Sequence, residues 1–190
     1  MAAVVVALDR SLSMPMNGLF WAARTRATDA IDALGQPGCP DHLLSVVGFG
    51  PRAVLLEASR VPELDWDYDY GSNLSDALRL GQSCLSGQPG RIVVLSDLFA
   101  DAHTDEQGNV VFSCPPTTET LQRTVATIRS CGDASITIQA LRYRSGETRE
   151  EEEEPIEVVT DAILTTGGTV EDVHIEDAVD GQLRPWRYSG

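Results

Sequence analysis

The stretch AAVVVALDRSLSM, Ala2–Met14, decides the fold that we predict for this chain. Its first part, Ala2–Leu8, is an uninterrupted apolar run, which is typical of a strand buried on both faces of a parallel sheet. The run ends in Asp9, and two hydroxyl side chains, Ser11 and Ser13, follow at alternate positions. Because open α/β sheets bind their ligands at the carboxyl ends of their strands, we expect a binding site here.

A carboxylate followed by hydroxyls indicates the chemistry of a hard divalent cation. Mg²⁺ takes few carboxylates, several neutral oxygens and waters that complete an octahedron. A second interpretation stays open, in which Ser11 or Ser13 only caps the helix that follows.

Two later segments carry oxygen side chains in comparable places. Gly71–Leu78 opens a helix that is predicted to run to about Leu85, and Ser72 lies at its start, where it could also serve as an N-cap. The buried strand Arg91–Leu95 is followed at once by Ser96 and Asp97. Three segments of the chain therefore carry oxygen side chains. Each segment lies at the end of a strand or at the start of the helix that follows a strand.

The remaining segments complete a doubly wound pattern. We predict a three-layer α/β fold with a mostly parallel central sheet, one antiparallel edge strand and helices on both faces. A polar loop is predicted between Ala100 and Ser113, and the charge run Glu150–Glu154 is predicted to be a solvated loop before the last helix. The predicted elements are helices at Gly18–Leu34, from Cys114 to near Cys131 and at Ile156–Thr166, and strands at Leu43–Phe49, Ala53–Ala58, Ser135–Leu141 and Thr169–Ile175.

These motifs resemble the metal-ion-dependent adhesion site of von Willebrand factor A (vWA) domains. Asp9-x-Ser11-x-Ser13 is similar to its first motif, Gly71-Ser72-Asn73-Leu74 to its second and Asp97 to its third. The chain departs from the family at two positions: Ser72 stands where threonine is usual, and Leu98 stands where glycine usually follows the aspartate. The resemblance implies the Rossmann-like vWA fold for residues 1–180, with 181–190 as a C-terminal tail.

The resemblance also implies a set of metal ligands and a mode of partner binding. The metal ligands would be Asp9, Ser11, Ser13, Ser72 and Asp97, around Mg²⁺, with Mn²⁺ or Ca²⁺ as alternatives. An acidic side chain of a protein partner would complete the coordination shell. Residues near the site that we expect to contact the partner are Asp69, Asn73, Leu98 and Asp101.

A second resemblance is narrower. Pro115-Pro116-Thr117-x-Glu119-Thr120-Leu121, then a helix, Cys131 and the run Ile136–Ile138, is similar to a bacterial branch of vWA proteins, the CoxE and chelatase-D type. Members of this branch are associated with MoxR-like or chelatase-like AAA+ ATPases. The resemblance therefore implies an adaptor that works with such an ATPase.

Composition excludes several other classes of function. The net charge of −15 argues against nucleic acid or an anionic membrane surface as a partner. No window is apolar enough to span a bilayer, and the apolar start has no signal-peptide layout. The four cysteines show no metal-binding spacing, so we expect free thiols and a cytoplasmic location.

We therefore expect a protein-binding module that is not an enzyme. Two alternatives stay open: a metal-dependent hydrolase or phosphatase, and a secreted vWA adhesin. The sequence lacks a phosphate-cradling loop and a histidine at recognisable spacing from the motifs, which favours the binding module.

Overall fold

The central element is a six-stranded sheet in the order β3-β2-β1-β4-β7-β8. The computed structural model describes residues 3–34, 44–66, 70–145 and 150–174. Only the β2–β3 pairing in this sheet is antiparallel. The strands are β1 Ala3–Asp9, β2 Leu44–Phe49, β3 Ala53–Leu56, β4 Gly90–Ser96, β5 Ala102–Thr104, β6 Val110–Phe112, β7 Ile136–Arg144 and β8 Thr169–His174.

Helices cover both faces of the sheet. One core layer contains α2, and the other contains residues of α3, α4 and α5. The helices are α1 Ser13–Met16, α2 Leu19–Leu34, a 3₁₀ helix at Ala58–Glu63, α3 Leu74–Cys84, α4 Thr118–Asp133 and α5 Glu150–Thr165. The predicted α/β architecture, with its mostly parallel sheet and antiparallel edge strand, is confirmed.

Strand β1 is the centre of both core layers. All seven of its residues are buried, as its apolar sequence predicts for a strand that is covered on both faces. Because side chains alternate along a strand, Val4, Val6 and Leu8 pack in the layer of α2, whereas Val5 and Ala7 pack in the layer of α3. β1 pairs with β2 on one side and β4 on the other, so the chain changes direction across the sheet between β1 and β4. Such a switch point is where doubly wound sheets bind ligands.

The prediction of a polar loop between Ala100 and Ser113 is wrong. Strands β5 and β6 pair there as an antiparallel hairpin outside the main sheet. Its turn is closed by Asp105, whose carboxylate accepts hydrogen bonds from the amides of Gln107 and Asn109 at 2.9 and 2.8 Å. The two short strands were not predicted because polar residues of the turn dominate this segment of the sequence.

The boundaries of the last helix also differ from the prediction. α5 begins at Glu150, not at Ile156, so the acidic run forms the first turns of the helix and is not a loop. Glutamate is a strong helix former, which explains why these turns are helical although Pro155 lies within the helix.

Several predictions concern residues outside the described part of the chain. Cys84 and Cys131 are free thiols, whereas Cys39 is not among the described residues. The same is true of Asp69 and of the predicted tail at 181–190. No helix in the described part of the chain is long and apolar enough to cross a membrane.

Candidate metal centre

The carboxylate of Asp9 lies at the carboxyl end of β1 and is completely buried. Its Oδ1 accepts a hydrogen bond from the Ser11 amide at 2.9 Å. Its Oδ2 accepts hydrogen bonds from the Ser72 hydroxyl at 3.0 Å and the Ser96 hydroxyl at 2.6 Å. Three separate segments of the chain therefore meet at one carboxylate.

Asp97 lies one strand away, directly after β4, and is 8% exposed. Its Oδ2 accepts a hydrogen bond from the Ser13 hydroxyl at 2.7 Å, and the Ser13 and Ser11 hydroxyls lie 3.2 Å apart. The structure therefore brings together all five residues that the sequence predicts as ligands. A cavity of about 40 Å³ borders Ser13 and Asp97, and Arg142 forms part of its wall.

The serines do not act as helix caps. The N-cap of α1 is Leu12, and no side chain there bonds to the helix start. The N-cap of α3 is Asn73, whose side-chain oxygen accepts from the Asp76 amide at 3.1 Å. The hydroxyls of Ser13 and Ser72 instead bond to the carboxylates of Asp97 and Asp9, so the capping interpretation is wrong for these two residues.

The turn after Asp97 has a backbone conformation that favours glycine, although a leucine occupies it. Leu98 has φ of 64°, in the left-handed region that costs a residue with a Cβ about 1–2 kcal/mol. Its side chain is only 1% exposed and packs in the core layer of α3 and α4. Burying a leucine contributes about 1.5–3 kcal/mol, enough to offset that strain. In this turn the Phe99 amide donates a hydrogen bond to Asp97 Oδ1 at 3.0 Å.

Electrostatics at the site are dominated by buried negative charge. Burial raises the pKa of Asp97 to about 7, and the charge of Asp9 adds to the effect. Burial likewise raises the pKa of Asp101 to about 7. The pKa of Asp9 is also raised by burial, although its hydrogen bonds oppose the shift. Within the described part of the chain, no positively charged side chain is among the main causes of these three pKa shifts.

This donor set fits a hard divalent cation. Two carboxylates and three hydroxyls are the oxygen ligands that Mg²⁺ and Ca²⁺ prefer, and a cation would neutralise the buried carboxylates. In the described residues, no group of three or more His, Cys, Asp or Glu side chains could hold a metal ion. The five proposed ligands include no imidazole and no thiolate, which are the groups that zinc sites use, so the set suits a hard cation.

Three of the residues predicted to contact a partner are buried. Asn73 is fully buried, and its side chain donates to the Pro51 carbonyl and the Thr104 hydroxyl, both at 3.1 Å. Leu98 and Asp101 are also buried. In this arrangement all three support the loops around the site, and partner contact through them stays a prediction, as it does for Asp69.

Ser96 is the residue that the sequence analysis missed. Its hydroxyl both donates to Asp9 and accepts from the Leu98 amide at 2.9 Å, so it links the ends of β1 and β4. The available signal was its position as the last residue of a buried strand beside β1, where a hydroxyl requires a partner.

The fold and a family match together identify a vWA domain. A family model described as "Rv0959-like protein, vWA domain" matches residues 2–170. The chain therefore belongs to this family of vWA domains, which are in general protein-interaction or adhesion modules. A comparison with curated proteins finds no match.

Solved structures show the same fold at low sequence identity. The vWF domain of the type V pili tip protein Mfa5 from Porphyromonas gingivalis is 10% identical with a TM-score of 0.64, over 100% of this chain and 97% of that one. Manganese-loaded Plasmodium vivax TRAP protein is 12% identical with a TM-score of 0.58, over 96% and 72%. The pilus adhesin SpaC from Lactobacillus rhamnosus GG is 15% identical with a TM-score of 0.65, over 96% of this chain and only 29% of SpaC.

The buried carboxyl groups predict a pH dependence of the metal-free protein. In the unfolded chain Asp97 and Asp101 ionise near 3.8, whereas the folded protein holds their protons up to about 7. We therefore expect the free energy of unfolding in EDTA to fall as pH rises from about 4 to about 7 and then to level off. Urea unfolding of the wild type across this range measures it.

Two variants isolate the contribution of Asp97. Asp97→Asn removes the charge at nearly constant shape, so its free energy of unfolding should fall less steeply with pH than that of the wild type. Asp161→Asn, at an exposed position on α5, is the matched control and should follow the wild type. A slope unchanged by Asp97→Asn would contradict the assignment.

Proposed function

We propose that this vWA domain is a non-catalytic, divalent-cation-dependent protein-binding module. The observation that carries the proposal is the convergence of Asp9, Ser11, Ser13, Ser72 and Asp97 at the switch point between β1 and β4. A bound Mg²⁺, or Mn²⁺ or Ca²⁺ in its place, supplies an electrophilic centre that attracts a carboxylate. The acidic side chain would come from a protein partner.

The proposed ligands have two different roles at the cation. By resemblance to the family, the hydroxyls of Ser11, Ser13 and Ser72 are the direct ligands, and Asp9 and Asp97 balance the charge, one or both through water. Ser13 is the most accessible of the three serines, because Ser11 and Ser72 are each 2% exposed whereas Ser13 is partly open and borders the cavity. A partner's carboxylate would therefore approach from the side of Ser13.

The surroundings favour binding over hydrolysis. A hydrolase would need a general base close to the site, such as a histidine. The described histidines are engaged elsewhere: the ring Nδ1 of buried His103 lies 2.9 Å from the Thr120 hydroxyl on α4, and His174 ends the edge strand β8. The buried carboxylates near the site are already held by hydrogen bonds: those of Asp9 and Asp97 by serine hydroxyls and that of Asp101 by the Ser72 amide.

The partner that we propose is a MoxR-like or chelatase-like AAA+ ATPase, or its client, in the bacterial cytoplasm. This part of the proposal rests on the sequence resemblance of the segments at Asp9–Met14 and Ser96–Leu141 to the CoxE and chelatase-D branch. In such a complex the vWA domain would act as an adaptor.

Thermal melts test cation binding. We expect Mg²⁺, Mn²⁺ or Ca²⁺ to raise the stability of the wild type relative to EDTA, by about 2.7 kcal/mol at a hundredfold excess over the dissociation constant. Asp9→Ala and Ser13→Ala should lose this gain. Ser83→Ala, at an exposed serine on α3, should keep it. Equal stabilisation of Asp9→Ala and the wild type would refute the site.

Partner binding is tested with a purified MoxR-type ATPase from the source organism. Biolayer interferometry in Mg²⁺ should detect a complex that EDTA dissociates, since the cation bridges the two proteins. Ser13→Ala should abolish binding, and Ser83→Ala should not. Binding that persists unchanged in EDTA would contradict a bridging cation.

A further inference from the structure

Asp101 is a buried carboxylate that the proposed ligand set does not use. It lies at the start of the β5–β6 hairpin, four residues beyond Asp97, and is 9% exposed. Its Oδ1 accepts a hydrogen bond from the Ser72 amide at 2.6 Å. The next residue, Ala102, donates its amide to the Ser72 carbonyl at 3.3 Å. Both backbone polar groups of Ser72 are therefore held by the hairpin.

The hairpin lies directly on the loop that carries Ser72. Gly71 has φ of 108°, and a Cβ at this position would lie 2.8 Å from Ala102 Cβ and 3.2 Å from Phe112 Cδ2. No side chain separates the two segments, so a shift of the hairpin would shift the loop. Only glycine combines this backbone conformation with such a close approach.

The hairpin is anchored at three further places. His103 bonds through its ring to Thr120 at the start of α4, and Thr104 accepts from the Asn73 side chain at 3.1 Å. The Arg52 guanidinium donates to the Gly108 carbonyl at 2.9 Å. The hairpin is thus a fixed support rather than a loose insertion.

We infer that Asp101 is a positioning residue for the proposed cation site: its carboxylate fixes the backbone of Ser72 and so aims the Ser72 hydroxyl toward Asp9 and the cation. The inference rests on the proposed function. The Ser72 amide is a donor, and a side-chain oxygen at this position accepts its hydrogen bond.

Mn²⁺ titration of the full chain by calorimetry tests this role. Partners that orient metal ligands typically contribute about 10–100-fold in metal affinity, so Asp101→Ala should weaken Mn²⁺ binding by at least about tenfold. Asp101→Asn keeps an acceptor oxygen and should retain most of the affinity. Glu106→Gln, which removes one exposed charge from the same hairpin, is the matched control and should bind as the wild type.

Hydrogen exchange of the Ser72 amide in EDTA gives a readout that needs no metal. The amide should exchange slowly in the wild type and in Asp101→Asn, and much faster in Asp101→Ala. If Asp101→Ala does not fold, Asp101→Ser replaces it, since its hydroxyl stops one bond short of the position of Oδ1.

The outcomes separate this inference from the proposed function. Absence of Mn²⁺ binding by the wild type would overturn both. Mn²⁺ binding by the wild type and, with equal affinity, by folded Asp101→Ala would overturn the positioning role alone. An equal loss in Asp101→Asn and Asp101→Ala would also overturn it, because asparagine retains the acceptor. Weak binding and fast exchange confined to the truncated variant would support it.

Discussion

The burial of Asp9 is the constraint on which the rest of the site depends. An ionised carboxylate in the core is costly unless hydrogen bonds or a cation compensate for lost hydration. Here Ser11, Ser72 and Ser96 bond to it from three different segments. Each segment must therefore end or turn at the same point, which fixes the ends of β1 and β4 and the start of α3.

The charge balance of the site follows from the same constraint. Asp97 is buried beside Asp9, and its pKa is raised to about 7 first by burial and second by repulsion from the Asp9 charge. Serine hydroxyls lessen this repulsion but do not remove it. A divalent cation would remove it, so the features that make the metal-free site unfavourable are those that would make it bind metal. The central sheet supplies the rigidity for this, because β1 and β4 are covered on both faces.

The sequence predicts the parts of this structure that depend on local patterns. The apolar run of β1 and the oxygen side chains after it predict a buried strand and a site, and the structure brings Asp9, Ser13 and Asp97 together. The roles of Ser96 and Asp101 depend on hydrogen bonds between segments that are distant in sequence, so no local pattern contains them. The hairpin was not predicted either, because its strands have only three residues each.

Crystals grown with Mn²⁺ test most directly whether a divalent cation binds to the proposed ligands, which are Asp9, Ser11, Ser13, Ser72 and Asp97. An anomalous difference map should show one strong peak within about 2.0–2.6 Å of the hydroxyl oxygens of Ser11 and Ser13, the range of Mg²⁺ and Ca²⁺ ligand distances. The Ser13–Asp97 hydrogen bond should be replaced by contacts to the ion. A map at saturating Mn²⁺ with no peak between Asp9 and Asp97, or with Mn²⁺ bound only elsewhere, would contradict the account.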